Sequence, residues 1–244
     1  MPRPLRIILP DQIYHVLNRG NRRMTLFRKP QDYQAFIDCL GQALERFRVE
    51  LLAWCLMPNH WHLVLQPRGE KQLQEFMRWL TVTHVRRHHM HHGGATGHLY
   101  QGRYKHFCVE RDDYFLMLCR YVEANPLRAG LVERAERWPW SSLHQRISRK
   151  NLVPMVAWPL DRPNNWNAIV NEAMSDGHLT KVREHVVRDR PLGSPAWIQR
   201  TAARLGVEQT LHERGRPRRP IESLSPRQRR RRRAAKGENG QNGM

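Results

Sequence analysis

The chain has no apolar run approaching the ~18 residues that a transmembrane helix needs. Its start, Met1-Pro2-Arg3-Pro4-Leu5-Arg6, lacks the long apolar stretch and small-residue cleavage site of a signal peptide. Cysteine is scarce: Cys39, Cys55, Cys108 and Cys119 lie far apart, with no C-x-x-C pair. That spacing excludes a zinc ribbon or a disulfide scaffold and fits a soluble, reduced, cytoplasmic protein. Internal repeats are absent. Acidic residues are few, with 22 Asp and Glu against 42 Lys and Arg, a formal charge of +20.

The charge is uneven. Residues 214–244 hold eleven Lys and Arg against Glu222 and Glu238, so +9 lies there and +11 remains on residues 1–213. A body that is basic without its tail points to a polyanionic partner, most naturally nucleic acid. At 244 residues and 40% hydrophobic, the chain can bury the core of one large domain and still carry a tail. The tail is rich in Arg, Pro and Gly and is expected to be disordered in isolation.

Hydrophobic periodicity orders the rest. Residues 12–18 read as a strand, stopped by Arg19-Gly20-Asn21. Tyr33, Phe36, Ile37, Leu40, Leu44 and Phe47 recur with a helical period. Val49–Leu56, a turn at Met57-Pro58-Asn59 and His60–Gln66 read as a strand, a tight connection and a strand. Leu73, Phe76, Met77 and Leu80 mark a second helix that runs into a His- and Arg-rich end and breaks at Gly93-Gly94. Leu99–Glu110 reads as a further strand. Asp112-Asp113 starts a third helix, which Asn125-Pro126 should stop. The order β-α-β-β-α-β followed by a helix predicts an α+β fold, a ferredoxin-like antiparallel sheet with helices on one face. Beyond Trp138-Pro139-Trp140, short helices are expected near 167–175, 178–188 and 194–205, which makes residues 146–213 a helical extension.

His60-Trp61-His62 opens the strand after the tight turn. Alternation puts both imidazoles on one face and Trp61, Leu63 and Leu65 on the other. Two histidines at i and i+2 can chelate a divalent cation, although such a short pattern also arises with no role beyond ending a strand. On the third helix, Phe115, Leu118, Cys119 and Val122 form the core stripe. Tyr121 and Asn125 lie on its flank as i, i+4 neighbours. Tyr114 is the rival phenol on nearly the same face, without an amide one turn on. Together these groups suggest a mechanism. His60, His62 and Asn125 would hold Mg²⁺ or Mn²⁺ against a phosphodiester, and the Tyr121 phenol would attack phosphorus to give a phosphotyrosine and a free 3′ hydroxyl. Glu123 points about 160° away from Asn125 on an ideal helix and is not expected to be a ligand.

These residues resemble the HUH single-tyrosine transposases, and specifically the REP-associated tyrosine transposases. The resemblance rests on Tyr14-His15-Val16 with Arg19-Gly20-Asn21, Trp54–His62, Gln101-Gly102-Arg103-Tyr104-Lys105, and Arg120–Val132 with its Tyr121-Val122-Glu123-Ala124-Asn125 core. It spans roughly residues 10–145, with a looser match over 192–220. It implies a catalytic domain over residues 1–145, cleavage and joining of single-stranded DNA, and recognition of repetitive extragenic palindromes that form hairpins. It also implies action as a monomer with the tyrosine in cis, whereas insertion-sequence relatives swap the tyrosine helix between two subunits of a dimer. Those relatives often carry Gln where Asn125 stands here.

Arg19, Arg22 and Arg23 after the first strand, Arg78 and Arg86 on the second helix, and Arg103 and Lys105 before the third helix are candidate DNA contacts, though each alone fits a solvated surface charge equally well. His84, His88, His89, His91 and His92 lack Cys or carboxylate partners in sequence and read as a segment near DNA rather than a metal site. Trp138 and Trp140 read as packing at the domain edge. Two other functions remain open: a non-catalytic DNA- or RNA-binding protein on the same fold, and a hydrolase that activates water, which would want a carboxylate near His60 and His62.

Overall fold

The computed structural model describes residues 7–93 and 97–212, of which those up to Leu211 form one compact unit. The basic tail at 214–244 and Gly94 of the Gly-Gly break lie outside the described residues. The sheet has four strands, β1 (Ile13–Arg19), β2 (Val49–Met57), β3 (His60–Pro67) and β4 (Lys105–Val109), in the order β2-β3-β1-β4. All neighbours are antiparallel. Helices α1 (Pro30–Arg46) and α2 (Gln72–His91) connect them, and α3 (Asp113–Glu123) follows β4. This is the expected ferredoxin-like order.

Local chemistry explains the boundaries. Pro30 enters α1 at a position where a missing N–H costs nothing, and the Asp32 carboxylate accepts from the Arg28 and Lys29 backbone N–H groups. Asp112 caps α3 by accepting from the Tyr114 N–H at 2.9 Å. Gly20 ends β1 where a Cβ would collide with the Met24 carbonyl oxygen, so the chain turns as only glycine allows.

The pleat divides the core in two. Tyr14, Val16, Trp54, Leu56, Trp61, Leu63 and Leu65 face α1 and α2. Ile13, Ala53, Cys55, Val64, Phe107 and Val109 face the opposite way, onto Phe115, Leu118, Cys119 and Val122 of α3. The two crossover helices share one face, and α3 with the later helices covers the other. Those later helices are α4 (Asn125–Arg128), α5 (Ser142–Ser148), α6 (Trp166–Asn171), α7 (Asp176–Arg188) and α8 (Pro195–Leu205). Trp166, Val170, Met174, Val182 and Leu192 join the core on the α3 face, so the extension completes this core instead of building its own.

Two expected boundaries shift. The strand expected over 99–110 is regular only from Lys105 to Val109. Ahead of it, Tyr100 makes an isolated bridge to Gly20, and the chain then bends through Gln101–Arg103, where the Gly102 carbonyl accepts from Asn18. Asn125-Pro126 ends α3 but also starts α4, because proline fits the first turn of a helix as readily as it stops the last.

Both sheet edges are occupied. Along β2, the Leu56 N–H reaches the Trp140 carbonyl at 2.9 Å, the Trp54 N–H reaches Ser142 Oγ at 3.0 Å, and the Leu52 carbonyl accepts from Arg146 and from Trp158 Nε1. Along β4, Leu192 exchanges two bonds of 2.8 Å with Cys108 and Glu110. Trp138 donates to the Leu56 carbonyl and Trp140 stacks on Tyr33, the packing role expected of them.

Candidate active site

His60 and His62 leave β3 on the α3 face, while Trp61 between them is fully buried on the other. In the β1–β3 ladder, Arg19 stands opposite His60 and Leu17 opposite His62. Tyr121 comes down from α3 so that its ring centroid lies 6.0 Å from that of His62, nearly perpendicular to it, and the His60 and His62 rings are 5.0 Å apart. The tyrosine therefore meets the histidines of its own chain. Tyr114, the rival phenol, is drawn away to α7, where Lys181 Nζ lies 3.1 Å from its hydroxyl.

Each histidine has one ring nitrogen engaged at Nδ1. His60 Nδ1–H donates to Asn59 Oδ1 at 2.6 Å, and His62 Nδ1 pairs with His15 Nε2 at 2.8 Å. His62 Nε2 is buried without a hydrogen-bond partner, an arrangement that a ligand could satisfy. Burial lowers the His60 pKa to about 4, with the Arg19 and Arg128 charges adding to it. Burial pushes His62 well below its ordinary value, and the neighbouring His60 and His15 push the same way. Both imidazoles are thus neutral at pH 7, the form in which imidazole binds a metal.

Asn125 is buried one turn beyond Tyr121. Its Oδ1 accepts from Arg128 Nη2 at 2.8 Å, and its Nδ2 has no partner. The Arg128 guanidinium lies 4.3 Å from the Tyr121 ring centroid and donates to the Tyr121 carbonyl at 3.0 Å. It therefore holds both the phenol ring and the amide. The donor set fits a divalent cation: two neutral imidazoles and one amide oxygen, with a lone pair left on that oxygen. Glu123 does not take part. It is fully buried behind the helix, accepting from Arg146, from Ser142 Oγ at 2.5 Å and from Trp166 Nε1 at 2.7 Å.

The basic candidates fall into separate places. Arg19 is half-buried beside His60, while Arg22 and Arg23 are exposed just after β1. Arg78 and Arg86 line a groove between α2 and the 97–104 segment, with Arg103 on its opposite wall. Asn18, Arg103 and Tyr104 also border a second groove that contains Arg19. Lys105 borders this second groove too, and its ammonium donates to the Val186 and Val187 carbonyls at the end of α7 and lies 3.9 Å from Asp189.

Two histidines of the run at the end of α2 have structural partners. Tyr100 OH sits 2.7 Å from His84 Nδ1, and His92 Nε2 pairs with Asp32 at 2.9 Å. Among the described residues no group of three or more His, Cys, Asp or Glu is placed to hold a metal ion. No described helix is long and apolar enough to cross a membrane.

The sequence motifs contained His15 and Arg128 but assigned neither a role. Their positions were legible: His15 alternates in register with the face of His62, and Arg128 falls three residues after Asn125.

Residues 9–125 match the family model described as IS200-like transposase. A curated relative from Haemophilus influenzae, described as a REP-associated tyrosine transposase, is 24% identical over 125 residues, covering 46% of this chain and 69% of that protein. Among solved structures, a REP-associated tyrosine transposase bound to a REP hairpin superposes with a TM-score of 0.51 at 19% identity, covering 72% of this chain and 100% of that one. The shared fold, with a tyrosine, an amide and a histidine pair inside the matched segment, makes this chain similar to the IS200-like transposases and to their REP-associated tyrosine branch.

Proposed function

We propose that this protein cleaves and joins single-stranded, hairpin-forming DNA of the repetitive extragenic palindrome type through a covalent phosphotyrosine. One observation carries the reading: His60, His62 and Tyr121 meet on one face within one chain, with Asn125 one turn beyond Tyr121 and a buried His62 Nε2 that no protein group satisfies. A water-activating hydrolase would want a carboxylate there, and Glu123 is occupied elsewhere. A pure binder would have no use for a partnerless buried imidazole nitrogen beside a phenol.

His60, His62 and Asn125 would hold Mg²⁺ or Mn²⁺, which when bound polarises the scissile phosphodiester. The phenolic oxygen of Tyr121 forms a bond to phosphorus as the bond from phosphorus to the 3′ oxygen breaks. The phenol gives up its proton and the leaving oxygen takes one up, so the energy of the diester is kept and the step can run backwards onto a new 3′ end. Arg128 orients the phenol ring, and its guanidinium, 4.3 Å from the ring centroid, would place positive charge beside the attacked phosphate. Arg19, Arg103 and Lys105 along one groove, Arg78 and Arg86 along the other, and the exposed Arg22 and Arg23 would supply contacts to the DNA backbone.

The test is to incubate the chain with labelled single-stranded palindromic DNA and Mg²⁺ or Mn²⁺. Label retained on the protein through denaturation is expected. Tight binding to the DNA with no adduct under any metal condition would replace the reading with the non-catalytic one.

A further inference from the structure

We propose that His15 is a positioning residue: it accepts the Nδ1 proton of His62 and so supports the tautomer that leaves the lone pair on His62 Nε2. The inference rests on the metal-binding part of the proposed function and gives His15 a role in it.

His15 lies in the middle of β1 and is fully buried on the α3 face, with the edge of Phe107 against its ring at 5.0 Å. Ile13 and Val64 belong to the same core, so a leucine or phenylalanine would serve packing equally well. An imidazole is instead buried there with Nδ1 lacking any partner. Burying an unpaired polar atom is unfavourable, so the reason for the imidazole must lie at its other nitrogen. That nitrogen, Nε2, is 2.8 Å from His62 Nδ1, with the two ring planes within 6° of each other. The facing nitrogens lie well inside the 5.0 Å separation of the centroids, as an in-plane N–H···N bond requires.

The two site histidines are built alike. Asn59 Oδ1 can only accept, so His60 must carry its proton on Nδ1 and present a bare Nε2. For His62, the corresponding acceptor is His15 Nε2. When Nε2 of His62 binds a cation, its proton is confined to Nδ1. With an apolar residue at position 15, that N–H would be buried with nothing to accept it. Outer partners of this kind fix the orientation of a ligand imidazole and raise its basicity, and their loss typically costs 10–100-fold in metal affinity. Glutamine carries an oxygen at a reach similar to imidazole Nε2 and should substitute.

The experiment uses the full chain without DNA. Mn²⁺ is titrated into wild type, His15→Leu and His15→Gln, with free Mn²⁺ read by electron paramagnetic resonance. In parallel, ¹⁵N shifts of labelled imidazoles report the His62 tautomer in metal-free protein, assigned with His62→Gln. Wild-type His62 is expected as the Nδ1–H form. His15→Leu should bind Mn²⁺ 10–100-fold more weakly with unchanged circular dichroism, and His15→Gln should recover to within a few-fold. Wild-type affinity in His15→Leu, or His62 found protonated at Nε2 in the wild type, overturns the proposal. If wild type binds no Mn²⁺, the metal part of the proposed function fails. The tautomer alone then decides: Nδ1–H supports the role of His15 and Nε2–H overturns it. The same measurement decides if His15→Leu does not fold.

Discussion

Replacing Glu123 by glutamine tests how α3 is anchored. The carboxylate is fully buried and accepts three side-chain bonds, from Arg146, Ser142 and Trp166, which tie the tyrosine helix to α5 and α6. Glutamine keeps the volume but removes the charge and turns one acceptor into a donor. Breaking a buried ion pair costs about 3–5 kcal/mol, because one charge is left without its counterpart. Here Arg146 retains a 2.7 Å bond to the Leu52 carbonyl and a face on Trp158 at 4.8 Å, so the lower end, about 3 kcal/mol, is expected. Against a total stability of about 5–15 kcal/mol, that is a large fraction. Urea unfolding of the full chain followed by tryptophan fluorescence would measure it, with the slope checked for constancy. Arg146→Met should cost a similar amount. The pair Glu123→Leu with Arg146→Met should cost about 0.5–3 kcal/mol less than the sum of its singles. Singles below about 1 kcal/mol each, or strict additivity, would show that the pair is not an energetic unit and refute the reasoning.

Tyr121→Phe should abolish the covalent adduct while leaving hairpin affinity within about threefold, since one oxygen contributes little to a large charged interface; an adduct lost instead in Tyr114→Phe would relocate the nucleophile. His60→Ala, or excess chelator on wild type, should remove cleavage without shifting the unfolding midpoint by more than the loss of a half-buried ring explains, and full activity in chelator would sink the metal reading. Acid should destabilise the fold. His84 is held near pKa 3 by burial, so between its ordinary value of 6.5 and that lower value the unfolded chain binds a proton that the native state refuses. Its stabilisation is complete above pH 6.5 and declines as pH falls, by about 2 kcal/mol at pH 5; His84→Gln should flatten the pH dependence of urea midpoints between 6.5 and 5, and an unchanged profile would contradict it. A chain cut after Pro220, lacking Arg227 and Arg229–Arg233, should bind hairpin DNA more weakly at low salt, with a shallower dependence of log affinity on log salt and the same choice of hairpin. An unchanged slope would mark the tail as inert.

The sheet and its first two helices were readable because their signals are local. Alternation over 60–66 placed His60 and His62 opposite Trp61, and the helical period placed Tyr121 and Asn125 on one flank. The contacts that complete the site are not local. Arg146 and Trp166 find Glu123 across 23 and 43 residues of chain, and no periodicity encodes such a meeting. The carbonyls that Lys105 meets at the end of α7 lie 81 residues away, which its basic sequence neighbours do not reveal. Tyr100 and Tyr104 look like strand residues, while the bend between them meets Asn18 of another strand, a contact with no local signal.

The occupied sheet edges have a consequence for how the chain behaves before it is complete. An open edge is a template for strand addition by a second molecule, and it is a common start of aggregation. Here Trp140, Ser142, Arg146 and Trp158 saturate the outer rungs of β2, and Leu192 occupies β4. All of these groups emerge from the ribosome after the four strands they guard. During synthesis the sheet must pass through an interval in which both rims are bare. The helical extension therefore works as a late-arriving shield as well as core, and its last rung, at Leu192, closes the β4 rim only once most of the described chain has been made.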